Sequence, residues 1–209
     1  VASANCSQYC CANIDFVEID SKTYNMSVDA LSEKLIKAKK LDKLPKIVVP
    51  VHFAGQPCDM PRIHKLSKQY GFKIIEDASH AVGASYNRTK VGSCVHSDIT
   101  VFSFHPVKII TTAEGGMALT NNKNIHDKIH RLRTHGITND KLLMKKRPKE
   151  EIWNYQQLDL GYNYRMNDIQ AALGLSQIKR LDEYIKCRQE IAKYYNFELK
   201  NLPLTTPWQ

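Results

Sequence analysis

Short apolar runs alternate, along the first half of the chain, with segments whose apolar residues recur at helical spacing. The runs are rich in branched and aromatic residues and have the length of buried strands. They predict strands at residues 47–53, 72–75, 99–104 and 117–119. Residues 15–20 alternate polar and apolar side chains, which predicts one further, half-buried strand.

Helices are predicted between these strands. Ser27 is a candidate N-cap for a helix over residues 25–40, and Gly71 is a candidate stop for a helix over residues 61–70. A further helix is predicted at residues 124–135. Strands that alternate with helices are typical of βαβ crossover units, so the sequence predicts an α/β fold with a mainly parallel sheet and flanking helices.

The second half of the chain has a different organisation. Residues 137–152 have no clear period and predict a loop. Residues 167–199 predict one long helix, with Gly174 as its weak point. Because so long a helix usually connects parts of a protein, we expect one large domain over residues 1–178. Residues 179–209 are expected to form a connector helix and the start of a small C-terminal domain that is otherwise missing. At the other end, residues 1–5 are expected to lie partway along a strand or in the turn that belongs to it.

The chain is basic, with a formal net charge of +9. Such a charge suits an acidic partner such as nucleic acid, an anionic small substrate such as a nucleotide phosphate, or simply a lysine-rich surface. The densest basic run, residues 145–149, lies in the predicted loop and has no interleaved aromatic residues. This favours a solvated loop, and a nucleic-acid-binding regulator remains the less favoured alternative.

The cysteines and histidines argue against a metal or disulfide framework. The six cysteines form no C-x-x-C pair and no zinc spacing with histidine, which predicts reduced thiols in a cytoplasmic protein. His126 and His130 are four residues apart, but no carboxylate or cysteine completes a metal site. No apolar run reaches the roughly 20 residues of a membrane span, and no leader is apparent, so no membrane partner is expected.

Reactive polar side chains follow two of the predicted strands. Asp77 and His80 come after the strand at residues 72–75, and Ser103 and Lys108 come at the end of the next one. Ligands of open α/β sheets bind beyond the carboxyl ends of the strands. A pyridoxal 5'-phosphate (PLP) site needs an amine for the aldehyde, a carboxylate for the pyridine nitrogen and hydroxyl groups for the phosphate.

Lys108, Asp77 and Ser103 can supply these three groups, in that order, and His80 could contact the ring. The spacing alone leaves other interpretations open. An aspartate after a strand is often a helix N-cap, and a lysine there is usually solvated.

Five motifs stand out along the chain: VHFAGQP (51–57) with Asp59, EDASHA (76–81), SFHPVK (103–108), TTAEGG (111–116) and LGYNYRMNDIQAALG (160–174). In this order they resemble the DegT/DnrJ/EryC1/StrS sugar aminotransferases. The SFHPVK form in particular is similar to members that aminate C4 of a UDP-linked 4-keto-6-deoxy sugar in pseudaminic acid synthesis.

The resemblance implies the large domain of a fold-type-I PLP-dependent transferase, and it assigns five site residues. Lys108 matches the Schiff-base lysine, Asp77 the partner of the pyridine nitrogen and His80 the residue at the ring oxygen. The other two matches are Ser103, a phosphate-binding serine, and Asn163, which reaches the cofactor phosphate of the neighbouring subunit.

The same resemblance implies a reaction and its partners. Glutamate would donate an amino group through PLP to a nucleotide-linked keto sugar, with Lys108 moving the protons, in a homodimer with shared active sites. Related dehydratases have histidine in place of the lysine, so Lys108 favours amino transfer.

The chain departs from the family in its length. The upstream turn that binds the cofactor phosphate and the smaller C-terminal domain are both expected to be absent, so the large domain would be truncated at both ends. A truncated, catalytically inactive remnant of such an enzyme is therefore the alternative function.

Overall fold

The computed structural model describes residues 1–145 and 153–208 of the chain. Its regular elements alternate between helices and short strands. In chain order they are α1 (Ala2–Tyr9), α2 (Val28–Lys40), β1 (Ile47–Val48), a 3-10 turn (Phe53–Gly55), α3 (Met60–Tyr70), β2 (Lys73–Asp77), β3 (Ser85–Tyr86), β4 (Thr89–Lys90), β5 (Ile99–Ser103), β6 (Gly116–Leu119), α4 (Lys123–Leu132), β7 (Ile137–Thr138), β8 (Gln156–Gln157), α5 (Asp168–Ile178) and α6 (Leu181–Leu199).

A four-stranded sheet in the order β1-β2-β5-β6 forms the centre of the fold. β1, β2 and β5 run parallel, and β6 pairs antiparallel with β5. Two small antiparallel pairs, β3 with β4 and β7 with β8, lie outside this sheet. The prediction of an α/β fold with a mainly parallel sheet is confirmed.

The helices α2 and α3 form where local signals predict them. The Ser27 side chain caps α2 by accepting a hydrogen bond from the Ala30 amide at 3.2 Å, and α3 ends at Gly71, whose φ is +81°. Both helices pack against the sheet in one apolar cluster. Its buried members are Val28, Leu31, Leu35, Val48, Cys58, Met60, Ile63, Phe72 and Ile74.

A second apolar cluster lies beside the carboxyl ends of β2 and β5. Partly buried side chains from α6 and from the segment that leads into α5 cover it: Leu181, Tyr184 and Met166. Its buried members are Ala78, Ala81, Val82, Phe102, Phe104 and Ile110. This cluster fixes the loops that carry the site residues described below.

Two predictions in the N-terminal part are wrong, and a third holds only in part. Residues 2–9 form a helix, where a strand or turn was expected. Residues 15–20 alternate in polarity but form only an isolated bridge between Ile19 and Met26, because the Asp20 and Ser27 amides bond within a local turn. The strand at residues 47–53 is cut short because Pro50 has no amide proton to donate to a neighbouring strand.

The prediction of one long C-terminal helix is also wrong, since α5 and α6 are separate helices. Gly174 lies inside α5, where an added Cβ would be 2.8 Å from Thr112 Cγ2, so it permits close packing and does not break the helix. The break falls at Lys179 and Arg180. The expected domain division after residue 178 coincides with this break and stays a prediction.

The region around the predicted loop differs in detail. α4 ends at Leu132, earlier than expected, and His135 has a φ of +57° that a helix cannot contain. The segment expected to be a loop begins with β7. Of the basic run, only Lys145 belongs to the described residues, and the remainder lies outside them. Within the described residues, none of the helices has the length and hydrophobicity to cross a membrane.

Candidate active site at the carboxyl edge of the sheet

Two predicted site residues end neighbouring parallel strands and share one face of the sheet. Asp77 is the last residue of β2 and pairs with Val101 of β5, and Ser103 ends β5 two positions later. Because side chains alternate along a strand, Ser103 lies on the face of Val101 and therefore on that of Asp77. Ile74 lies on the opposite face, packed with α2 and α3, and Glu76 shares that face by alternation along β2.

The Asp77 carboxylate is half-buried and held by two hydroxyl groups. Ser3 Oγ donates to Asp77 Oδ2 at 2.6 Å, and Ser79 Oγ donates to Asp77 Oδ1 at 2.6 Å. The Ser79 amide adds a third bond to Oδ1 at 3.2 Å. Burial raises the pKa of Asp77, but these hydrogen bonds and the nearby His80 more than offset it, so the pKa lies below its usual range. Asp77 is thus an ionised acceptor at neutral pH.

Lys108 lies in the loop that follows β5, in a turn shaped by His105. The Lys108 amide donates to the His105 carbonyl at 2.9 Å, and the Val107 amide donates to His105 Nδ1 at 3.3 Å. The Lys108 side chain is half-buried. Within residues 1–145 and 153–208 its amine makes no hydrogen bond and no ion pair. Among these residues, no contact has to be broken for the amine to meet a ligand.

His80 lies three residues beyond Asp77, and its ring is exposed. It faces the Phe53 ring edge-on, with the ring centroids 6.3 Å apart. The turn at residues 53–55 approaches closely here: a Cβ on Gly55, whose φ is +86°, would lie 2.9 Å from the His80 carbonyl oxygen. Glycine at this position therefore allows the turn to pack against the Asp77–His80 segment.

A buried polar network supports the site from the other face of the sheet. His52 Nε2 lies 2.8 Å from Glu76 Oε2, and His52 Nδ1 accepts from the Cys58 amide at 3.1 Å. Since Nδ1 is an acceptor, the proton is on Nε2 and is donated to Glu76. Thr100 donates to Glu76 Oε1 at 3.0 Å, and Ser97 donates to the same oxygen.

The network determines the protonation state of Glu76. Burial raises the pKa of Glu76, but the hydrogen bonds from His52, Ser97 and Thr100 outweigh burial and leave the pKa below its usual range. The backbone connects this network to the site, because the His52 amide donates to the Asp77 carbonyl at 3.0 Å.

Asn163 lies apart from the other predicted site residues. It is exposed and forms an isolated antiparallel bridge with Thr134, just beyond α4. Within the described residues, no hydrogen bond joins it to Asp77, Ser103 or Lys108. Its expected role, toward the cofactor of a neighbouring subunit, stays a prediction.

Sequence reasoning missed the two hydroxyl groups that hold Asp77. Ser79 lies in the EDASHA motif, and a serine two residues after an aspartate is a common local partner. Ser3 lies 74 residues before Asp77, and no pattern in the sequence connects the two.

These residues fit PLP better than they fit a metal ion. An ionised carboxylate that keeps unused lone pairs suits a protonated ring nitrogen, an unpaired amine suits an aldehyde, and a strand-end hydroxyl suits a phosphate. Among residues 1–145 and 153–208, no group of three or more histidine, cysteine, aspartate or glutamate side chains is placed to hold a metal.

Curated relatives of the chain include named nucleotide-sugar enzymes. It is 38% identical over 204 residues to the UDP-4-amino-4,6-dideoxy-N-acetyl-beta-L-altrosamine transaminase of Campylobacter jejuni, covering 97% of the chain and 50% of that protein. It is also 38% identical over 202 residues to the GDP-perosamine synthase of Caulobacter vibrioides, covering 97% and 49%. The chain thus spans about half the length of the curated relatives it matches.

Solved structures of similar fold agree with these relatives. The chain matches Helicobacter pylori PseC, an aminotransferase involved in pseudaminic acid biosynthesis, with a TM-score of 0.84 and 35% identity, covering 97% of the chain and 50% of PseC. It matches the PLP form of the putative sugar aminotransferase Spr1654 from Streptococcus pneumoniae with a TM-score of 0.77 and 27% identity, covering 96% and 51%.

The model of one protein family matches the chain over its whole length, residues 1–209. The motifs at the carboxyl edge of the sheet and the architecture around them agree with that match. The chain belongs to the DegT/DnrJ/EryC1/StrS aminotransferase family.

Proposed function

We propose that this chain carries the cofactor-binding part of a PLP-dependent aminotransferase that acts on a nucleotide-linked keto sugar. The observation that carries the proposal is the arrangement at the sheet edge. The Asp77 carboxylate and the Ser103 hydroxyl lie on one face at the ends of adjacent parallel strands, and the Lys108 amine follows in the next loop without a partner among the described residues.

Each residue has a distinct role in this proposal. Asp77 binds the pyridine nitrogen and keeps it protonated, while His80 contacts the ring and Ser103 binds the phosphate. Lys108 is the nucleophile, and its Nζ carries the proton that moves during amino transfer. PLP, when bound, supplies the aldehyde and an electron-withdrawing ring.

The substrates and the assembly are inferred from the relatives and from the charge. Of the two curated relatives above, one is named as a transaminase of a UDP sugar and the other as the synthase of a GDP sugar, and an excess of basic residues suits either nucleotide. We propose a UDP-linked 4-keto-6-deoxy hexose as acceptor, because of the SFHPVK motif, and glutamate as donor. We also propose a cytoplasmic homodimer in which Asn163 binds the cofactor phosphate of the partner subunit.

Covalent trapping tests the proposal at its nucleophile. The chain is mixed with PLP and reduced with borohydride, and the modified lysine is located by peptide mass spectrometry. We expect the cofactor on Lys108, none after Lys108→Ala, and unchanged labelling after the control Lys128→Ala, an exposed residue of α4. A cofactor fixed on another lysine would refute the assignment.

Amino transfer is then measured with the same proteins. With [15N]glutamate and a UDP-linked 4-keto-6-deoxy hexose, we expect labelled amino sugar from the unmodified chain and from Lys128→Ala, but not from Lys108→Ala. Transfer to the GDP-linked sugar alone would contradict the choice of nucleotide. Trapping on Lys108 without any transfer would favour the catalytically inactive alternative.

A further inference from the structure

The N-terminal helix α1 contributes a side chain to the site although it adds nothing to the buried core. None of its residues is buried, and its ends carry no side-chain cap. Within the described residues, the Ser3–Asp77 bond is the one hydrogen bond from α1 to another element of the fold. Apolar packing therefore does not account for the position of Ser3. The hydrogen bond to Asp77 is the contact that fixes it.

Each of the two hydroxyl groups donates to a different oxygen of the Asp77 carboxylate. Ser79 bonds Oδ1 from the same loop, while Ser3 bonds Oδ2 from a distant part of the chain, each at 2.6 Å. A carboxylate offers about four lone-pair sites, so these bonds leave an acceptor site for a further donor. A half-buried carboxylate with a partner on each oxygen cannot rotate freely about its terminal torsion.

We infer that Ser3 is a positioning residue for Asp77, holding the carboxylate in the orientation in which it meets the pyridine nitrogen of the cofactor. That the group meeting Asp77 is a pyridine nitrogen rests on the proposed function. Ser3 acts through Asp77 and need not touch the cofactor. His80 is a titratable group whose charge also acts on Asp77, and Glu76, the preceding residue of β2, lies on the opposite face by alternation.

The first measurement tests the contact without any cofactor. The Asp77 carboxyl carbon is followed by 13C NMR through a pH titration of the unmodified chain and of three variants. In Ser3→Ala the pKa of Asp77 should rise, because a hydrogen bond to the ionised form is lost. Ser3→Thr, which keeps a hydroxyl, should restore it. The matched control is Ser7→Ala, one turn further along α1, and it should leave the pKa unchanged.

The second measurement tests the positioning. Loss of one net hydrogen bond predicts a dissociation constant for PLP that is about two- to tenfold higher in Ser3→Ala, with Ser3→Thr and Ser7→Ala close to the unmodified chain. Binding is followed by the absorbance of the bound cofactor.

The outcomes are distinct. An Asp77 pKa that does not change in Ser3→Ala overturns the inference, since the bond is then not made in solution. A raised pKa with unchanged PLP affinity also overturns it, because Ser3 would bond the carboxylate without positioning it. Failure of the unmodified chain to bind PLP refutes the proposed function instead, and the titration still decides whether Ser3 holds Asp77.

Discussion

Replacing Glu76 by glutamine tests the buried network behind the site while almost preserving its shape. The carboxylate accepts hydrogen bonds from three side chains: His52, Ser97 and Thr100. A glutamine must direct its oxygen at His52, because the Cys58 amide keeps the proton on His52 Nε2. Its NH₂ group then faces the two hydroxyls, which can rotate to accept.

The size of the effect follows from the loss of charge. A hydrogen bond to a charged group contributes about 1.5–3 kcal/mol and a neutral one about 0.5–1.5 kcal/mol, so three weakened bonds amount to about 3 kcal/mol. Part of this is recovered, because a buried charge no longer has to be desolvated. We expect a net loss of about 1–3 kcal/mol at pH 7, or roughly 2–10 °C in Tm for a chain of this size.

The pH dependence has a definite sign. The pKa of Glu76 is lowered by folding, so its contribution is complete above the ordinary glutamate pKa, about 4.3, and is lost as the pH falls through the folded pKa. Glu76→Gln has no such dependence at this position. The difference in Tm between the two proteins should therefore be largest near pH 7 and shrink in acid.

Thermal unfolding followed by circular dichroism between pH 7 and pH 3 measures both quantities. Glu33→Gln is the matched control, because it makes the same chemical change at an exposed position of α2 and should melt like the unmodified chain. The reasoning is wrong if Glu76→Gln melts with the unmodified chain at pH 7, or if the difference in Tm is as large at pH 3.

Two further predictions concern the turn at the site and the thiols. Alanine at either Gly55 or Gly71 would have to adopt a left-handed backbone conformation, which costs roughly 1–2 kcal/mol. At Gly55 the added Cβ would also lie 2.9 Å from a carbonyl oxygen, whereas at Gly71 it would meet nothing within 4 Å, so Gly55→Ala should have the lower Tm. Equal Tm values for the two variants would contradict this. A thiol reagent should label four exposed cysteines in the folded chain, whereas Cys58 and Cys94 are buried and burial raises the pKa of Cys58 to about 12. Rapid labelling of all six would count against the packing.

Local signals were enough to predict much of the fold and the position of three candidate site residues. Ser27 and Gly71 mark the ends of α2 and α3 because capping depends on residues that are close in sequence. Asp77, Ser103 and Lys108 could be placed at one edge because parallel strands bring their carboxyl ends together.

What the sequence did not reveal depends on contacts between distant residues. The alternation at residues 15–20 suits a strand, but among residues 1–145 and 153–208 the segment pairs only through the bridge between Ile19 and Met26. The break between α5 and α6 falls at Lys179 and Arg180, where no glycine or proline marks it. Ser3 reaches Asp77 only because α1 lies beside the end of β2, and no local pattern in the sequence predicts that contact.

The buried partners of Glu76 also protect the alignment of the strand that carries Asp77. A slip of β2 by one residue would exchange its two faces, burying Asp77 against α2 and α3 and turning Glu76 toward the site. Both residues are acids, so charge alone would not distinguish the two alignments. The donors of His52, Ser97 and Thr100 favour the observed alignment, because they bind the longer glutamate side chain on the face opposite to Asp77. A one-residue insertion or deletion in β2 is therefore expected to be far more harmful than most substitutions there.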